Sequence, residues 1–372
     1  ETRGFVHRPV NKTSNEAVVI GSQEGFVESL RANITLLRRY VQSAQLVTER
    51  LAIGTGVPTN VALMYLKGVC EDSVVNEARR RLQCIDSPSV QGIGVIQQFI
   101  EDRPRAIFPQ MLQTERPDRA ASCLLEGQFV ILAENSPYAL TAPVTMFHLI
   151  HASDDTFMRW QYATLLRIVR IAGLAISLFL PGLYVALLLH HTHLIPLTLL
   201  LSIAETRADV PFTVLFEVLL MEFSFYLINE AGTRIPSQIG STVSIVGALI
   251  LGQAAVSASI ISPILIILVA LTGLGSYAVP NYGFGLSIVV YRLLIVLTGA
   301  LLGLYGLLAA ALALLMHLCS IRSFGVPYLA PVAPKRPHNP DILLRLSIRK
   351  QNRPMFYARR DSWLHGKGSA SR

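Results

Sequence analysis

Residues Ile239–Ala258, IGSTVSIVGALILGQAAVSA, run for twenty positions without a charge. A helix of that length rises about 30 Å, the thickness of the hydrocarbon of a bilayer. The stretch is not a plain apolar anchor. Ser237, Ser241, Ser244, Ala248, Leu251 and Ala255 recur at spacings of three and four, which gathers them on one helical face. Small and hydroxyl-bearing residues on such a face have two uses. They let neighbouring helices approach closely, or they leave room for ions along a water-filled pore. On spacing alone both uses stand.

The rest of the composition agrees with a membrane protein. The 372 residues are 52% hydrophobic and 15% charged, with a mean hydropathy of +0.47. The apolar residues are unevenly spread, which divides the chain into a linker over 1–21, a cytosolic α/β domain over 22–158, a helical membrane domain over 159–318 and a basic cytoplasmic tail over 319–372. The tail holds eleven Lys and Arg against Asp341 and Asp361, enough to account for the whole +8 net charge. A tail beside anionic lipid explains this excess better than nucleic acid does. Residue 1 is Glu, and the chain is expected to be a fragment lacking its beginning. Cys70, Cys84, Cys123 and Cys319 show neither a CxxC pair nor metal-ligand spacing, and are expected to be reduced and buried.

In the soluble part, Phe26, Leu30, Ile34, Leu37 and Val41 form one stripe, predicting an amphipathic helix over Glu24–Tyr40. Leu46–Ile53 and Asn60–Val69 read as strands, the second of them buried. Helices are expected over Ser73–Gln83, Val90–Glu101 and Arg119–Leu125. Two further strands, Gln128–Glu134 and Tyr138–Thr145, flank an Asn135-Ser136-Pro137 turn. The alternation argues a small α/β domain. Gly54-Thr-Gly56 and Gly92-Ile-Gly94 lack the further glycine or lysine of a phosphate cradle and read as turns. His148 and His151 lack a third metal ligand nearby. No arrangement of nucleophile, base and acid stands out, so no catalytic, cofactor or metal site is assigned.

In the membrane part, Arg159, Arg167 and Arg170 lead into a helix over Thr164–Leu189 that Pro181 should kink. His190, His191 and His193 close it, as a polar rim or a metal site. Leu194–Ala204 is too short to cross, and Val210–Asn229 carries Glu217 and Glu222. Those carboxylates either sit wet at an interface or attract cations to a vestibule. Ile260–Ala278 and Leu286–Leu318 follow, the last with Gly299, Gly303 and Gly306 at packing spacing and with Arg292, expected to reach up to the headgroups, with pairing to an acid as the alternative. Basic segments at both ends call for an even number of crossings. Four satisfy this (164–189, 239–258, 260–279 and 287–317), with 194–229 re-entrant or interfacial. Six is the alternative.

Several stretches resemble one family, the A subunits of spore germinant receptors (the GerA family) with the related stage V sporulation protein AF. They are Gln23-Glu-Gly-Phe-Val-Glu-Ser-Leu-Arg31, Asp86 at the end of RRRLQCID, Phe108-Pro-Gln and Thr114-Glu-Arg-Pro-Asp118. Next come Leu180-Pro-Gly-Leu-Tyr-Val-Ala186, Val210-Pro-Phe212, Ile245-Val-Gly247 and Leu251-Gly-Gln-Ala-Ala-Val256. Ile261-Ser-Pro263, Val279-Pro-Asn-Tyr282 and Ser323-Phe-Gly-Val-Pro-Tyr328 complete the set, which runs in the same order from about residue 20 to about 335. The family has a further soluble subdomain ahead of these stretches.

The resemblance implies a nutrient-sensing assembly in the inner membrane of a bacterial endospore, with the soluble domain and the tail on the cytoplasmic side. It implies work beside a transporter-like B subunit that binds the nutrient and a lipoprotein C subunit. It further implies a homo-oligomeric ring, with a pentamer as one candidate, that opens as a nutrient-gated cation channel. Ser241, Ser244, Ala248, Leu251 and Ala255 would then line the pore, and Glu217 and Glu222 would concentrate cations at a mouth. A stage V-type accessory channel protein and a non-conducting scaffold for B and C are the alternatives. A single-chain transporter is a weaker one, for want of an evident inverted repeat.

Overall fold

The computed structural model describes residues 9–13, 15–16, 18, 20–234, 252–334 and 344–345. They form two compact units. One combines residues up to Ile168 with those from His317 onward, and the other covers Val169–Met316.

The first unit is a three-layer sandwich. Its elements are α1 (Leu30–Tyr40), β1 (Leu46–Ile53), β2 (Thr59–Leu66), α2 (Asp72–Gln83), α3 (Ile93–Ile100), β3 (Leu112–Thr114), α4 (Pro117–Leu125), β4 (Phe129–Ala133), β5 (Ala139–Ala142) and α5 (Met146–Ile150). The five strands lie in the order β1-β2-β4-β5-β3, and every pairing is antiparallel. Short connections after β1 and β4 allow only hairpin returns, which fixes the direction of the β1–β2 and β4–β5 pairs. In β2 and β4 alternate residues serve opposite faces. Val61, Leu63, Phe129 and Ile131 pack under α2 and α3, while Ala62, Met64, Val130 and Leu132 pack under α1 and α4. Burial on both faces is why FVILA reads as an unbroken apolar run. α1 begins at Leu30, six residues later than its stripe suggested, because Asn33 holds Val27 in a non-helical turn. The Val27 N–H donates to Asn33 Oδ1 at 2.8 Å.

Described residues of the stretch expected as linker over 1–21 are tied down. The Gly25 N–H donates to the Asn11 carbonyl at 2.9 Å, and Asn15 Nδ2 donates to Glu115 Oε1 at 2.7 Å. Glu16 Oε1 lies 3.2 Å from Arg119 Nη1. These groups serve Thr114–Asp118, where Pro117 and Asp118 open α4 as a helix start prefers. Arg116 is fully buried and needs partners. Asp118 Oδ2 is 2.7 Å from its Nη2, and the Ser22 carbonyl accepts from the same nitrogen at 2.9 Å.

The stretch after the last helix also belongs to this unit rather than starting a free tail. β6 (Arg322–Ser323) and β7 (Val326–Pro327) form a hairpin with positive φ at both Phe324 (46°) and Gly325 (82°), as the tightest hairpin turns require. The Phe324 ring meets Phe129 edge-on at 4.9 Å. Ser323 Oγ donates to the Gln110 carbonyl at 2.7 Å and accepts from the Val144 N–H at 3.0 Å. Tyr328 is fully buried, and its hydroxyl donates to the Pro109 carbonyl at 3.0 Å. Burial pushes that hydroxyl well above the ordinary tyrosine range.

The second unit is helical. It contains most of α6 (Trp160–His190), α7 (Leu197–Thr206), α8 (Val214–Arg234), α9 (Pro263–Tyr277) and most of α10 (Tyr282–Ser320). Among the described residues, α6 and α10 are long and apolar enough to cross a membrane, while α7 and α9 are shorter apolar helices. Only 39% of the most apolar window of α6 and 28% of that of α10 is buried, so neither is wrapped as a soluble core helix would be. Pro181 lies inside α6, and α10 is broken at Gly303, whose φ is +61°. A Cβ at Gly299 would sit 2.9 Å from the Gly182 carbonyl oxygen, so this glycine sets a close approach of α10 to α6. Four of the residues expected on the small face, Ser241, Ser244, Ala248 and Leu251, lie outside the described residues, as does Ser237.

Candidate functional site: buried ion pairs in the helical unit

Charged side chains inside a helical membrane unit are costly, so their arrangement is where function is sought. Glu217 and Glu222 both sit on α8, five residues apart and therefore about 140° apart around the helix. Each has its own arginine.

Glu217 is fully buried in the first turn of α8. Its Oε1 lies 2.7 Å from Arg207 Nη2, just past the end of α7, and its Oε2 accepts from the Ser262 N–H at 3.3 Å. Ser262 is the N-cap of α9, so the carboxylate meets the positive end of a helix. Two further polar atoms, Tyr184 Oη and Ser262 Oγ, are buried with no hydrogen-bond partner among the described residues. Groups of that kind suit an internal water.

Glu222 pairs with Arg292 of α10 at 3.0 Å. Arg292 is 2% exposed, so the expectation that it reaches up to the headgroups is overturned. Its Nη1 donates to Ser177 Oγ on α6 at 3.2 Å, and its Nη2 contacts Tyr226 Oη, one turn after Glu222 on α8. The guanidinium also stands 5.5 Å from the centre of the Tyr226 ring. One cation thus ties α6, α8 and α10 together. An acid on α8 was close enough to neutralise it, and spacing within α10 alone could not reveal that.

Of the five residues expected to line a pore, Ala255 is described. It is buried beside Tyr184, Val214, Val218 and Leu265. The histidines after α6 are engaged locally, with His190 Nε2 2.8 Å from the Ala300 carbonyl and the His191 ring 5.8 Å from that of His193. In the first unit, His148 Nε2 lies 2.9 Å from Glu126 Oε2, and the His151 carbonyl accepts from Arg119 at 3.0 Å. Two cysteines depart from expectation. Cys70 and Cys123 are buried, with thiols pushed up to about 12 by desolvation, whereas Cys84 and Cys319 are exposed. Cys84 follows the last turn of α2, off its apolar face.

Comparison with known proteins now gives the family. A profile of the Bacillus/Clostridium GerA spore germination protein matches residues 1–356. Spore germination protein KA of Bacillus subtilis is 42% identical over 90% of this chain and 61% of its own length. The uncharacterized membrane protein YfkQ of the same organism is 40% identical over 92% of this chain and 67% of its own. The chain therefore spans about two thirds of the curated relatives it matches. A crystal structure of the N-terminal domain of the A subunit of the Bacillus megaterium spore germinant receptor GerK3 covers 32% of this chain and 94% of that domain, at 38% identity and a TM-score of 0.26. The motifs from Gln23 to Tyr328 are thus carried by a chain that belongs to the GerA family of spore germination proteins.

Proposed function

We propose that this chain is the A-type subunit of a germinant receptor, acting in spore germination as a non-enzymatic, oligomeric membrane component that passes cations when a partner binds nutrient. The observation that carries the reading is the family match over residues 1–356, on a chain whose α6 and α10 are long, apolar and largely unburied. Such faces need lipid or further copies of the chain. The partners are a transporter-like B subunit and a lipoprotein C subunit, and the place is the inner membrane of the endospore with the α/β unit cytoplasmic. In this reading Ser241, Ser244, Ala248, Leu251 and Ala255 line the path, and Glu217 and Glu222 tune its mouth. Arg207 and Arg292 offset both carboxylates, so the mouth is weakly rather than strongly negative.

The test is ion release from germinating spores carrying Ser244→Leu. Reduced release at normal protein level supports the path, and unchanged release removes it. A second reading, a non-conducting scaffold for B and C, is favoured by the packing of Ala255 inside the chain. It requires that Ser241→Ala and Ser244→Ala leave release intact.

A further inference from the structure

The α/β unit carries a cleft of about 630 Å³ between α2, the loop after α3 and the β6–β7 hairpin. Arg80, Arg81, Arg103 and Arg322 line it, with Phe99 and Cys84. Two of the four guanidiniums are committed. Arg81 lies 2.7 Å from Glu77, pairs with Asp102 and stands 4.5 Å over the Phe324 ring. Arg80 is held by Glu77 at 2.7 Å. The other two are available. Arg103 is exposed and gives one side-chain hydrogen bond, to Ser320 Oγ at 2.9 Å. The Arg322 side chain is exposed and makes no hydrogen bond or ion pair among the described residues. Two acids also line the cleft. Asp102 is engaged by Arg81 and by the Gly325 N–H at 3.3 Å, and Glu101 accepts from Gln97 at 2.7 Å. Burial pushes the Glu101 carboxyl up. Among the described residues neither Arg103 nor Arg322 has an acid within ion-pair distance, so the positive charge of the cleft rests on these two.

Its place along the chain says what that charge meets. Ser320 is the last residue of α10, and the helix is apolar almost to that point. The end of such a helix lies at headgroup level, with the next arginine just beyond it. Arg322 is that arginine, and Arg103 reaches the same residue through Ser320 Oγ. Phe99, which lines the cleft, is 50% exposed and gives it an apolar tip for the interface.

We propose that this cleft binds the phosphate of an anionic phospholipid headgroup, with Arg103 and Arg322 as its ligands. A guanidinium presents paired donors that match phosphate oxygens, and anionic lipid attracts each basic residue near the surface. The inference stands apart from whether the chain conducts ions.

Cys84 reports occupancy from inside the cleft, since it is exposed while Cys70 and Cys123 are buried. In the full chain carrying C319S, alkylation of Cys84 by a maleimide is timed with dihexanoyl phosphatidylglycerol, with dihexanoyl phosphatidylcholine or with inorganic phosphate. The phosphatidylglycerol slows alkylation, and the phosphatidylcholine at equal concentration does not. R103Q and R322Q each raise the half-protecting concentration about fivefold, and together about thirty-fold. Both side chains are exposed, and an unchanged melting temperature confirms the fold. R103K/R322K keeps most of the protection. Absent protection, equal protection by phosphatidylcholine, or undiminished protection in R103Q/R322Q overturns the proposal. Protection by inorganic phosphate as strong as by phosphatidylglycerol assigns the cleft to free phosphate and overturns lipid as the source.

Discussion

Replacing Arg292 with methionine removes the cation that three helices share. Its partner Glu222 is then left in place, 8% exposed and unpaired. Ser177 Oγ loses its 3.2 Å donor, and Tyr226 Oη loses its contact. Removing one member of a buried pair costs about 3–5 kcal/mol, because the remaining charge stays desolvated. Apolar surroundings in a membrane push toward the upper end. For a unit of this size the melting temperature should fall by on the order of 10 °C. Glu222→Gln alone leaves Arg292 buried without its anion and should cost a similar amount. R292M/E222Q removes both charges and should recover most of the loss, since a neutral pair of similar volume carries no such penalty. The assay is thermal unfolding of the purified chain in detergent, followed by far-ultraviolet circular dichroism, for wild type, both single variants and the double. A non-additive cycle of about 2 kcal/mol or more is expected. Additive losses, or an R292M protein that melts with the wild type, would refute the reasoning.

The hairpin after α10 should matter to the α/β unit although it follows the whole membrane region in sequence. Tyr328→Ala empties a fully buried site and should cost about 3–5 kcal/mol, whereas Tyr328→Phe loses only the bond to Pro109 and should cost about 1 kcal/mol, both read from the melting of that unit. Equal effects of the two would mean the ring contributes nothing. Glu77 is held down to about 2 by hydrogen bonds from Arg80 and Arg81, below its ordinary 4.5. Its contribution is therefore present above about pH 4.5 and lost as the pH falls toward 2. Solvent screening limits it to below about 1 kcal/mol. E77Q should accordingly be slightly less stable than wild type at neutral pH and equal to it near pH 2, and a gap that persists in acid contradicts the pairing.

The sheet was legible because β1, β2, β4 and β5 carry β-branched and apolar runs between turn residues, and their bounds fall close to those expected. The three-residue β3 and the five-residue α5 are too short to show any period. Strand direction was not readable from alternation with helices, which suits parallel and antiparallel sheets alike until the connections are seen. Composition alone misjudged 321–333. The basic excess of 319–372 as a whole suggested a tail, while the buried residues are two aromatics, Phe324 and Tyr328, whose partners lie more than 180 residues earlier. In the helical unit, the cost of a buried charge singled out Glu217 and Glu222, but not that Arg207 and Arg292 would neutralise them. Pairing across helices depends on packing, which no single-helix pattern contains.

The most direct test of the account is the oligomeric mass of the full-length protein extracted in mild detergent. A closed ring of several subunits is the result expected, because the proposed path needs an axis shared between copies. A clean monomer would contradict it, leaving no shared axis for residues 239–258 to line.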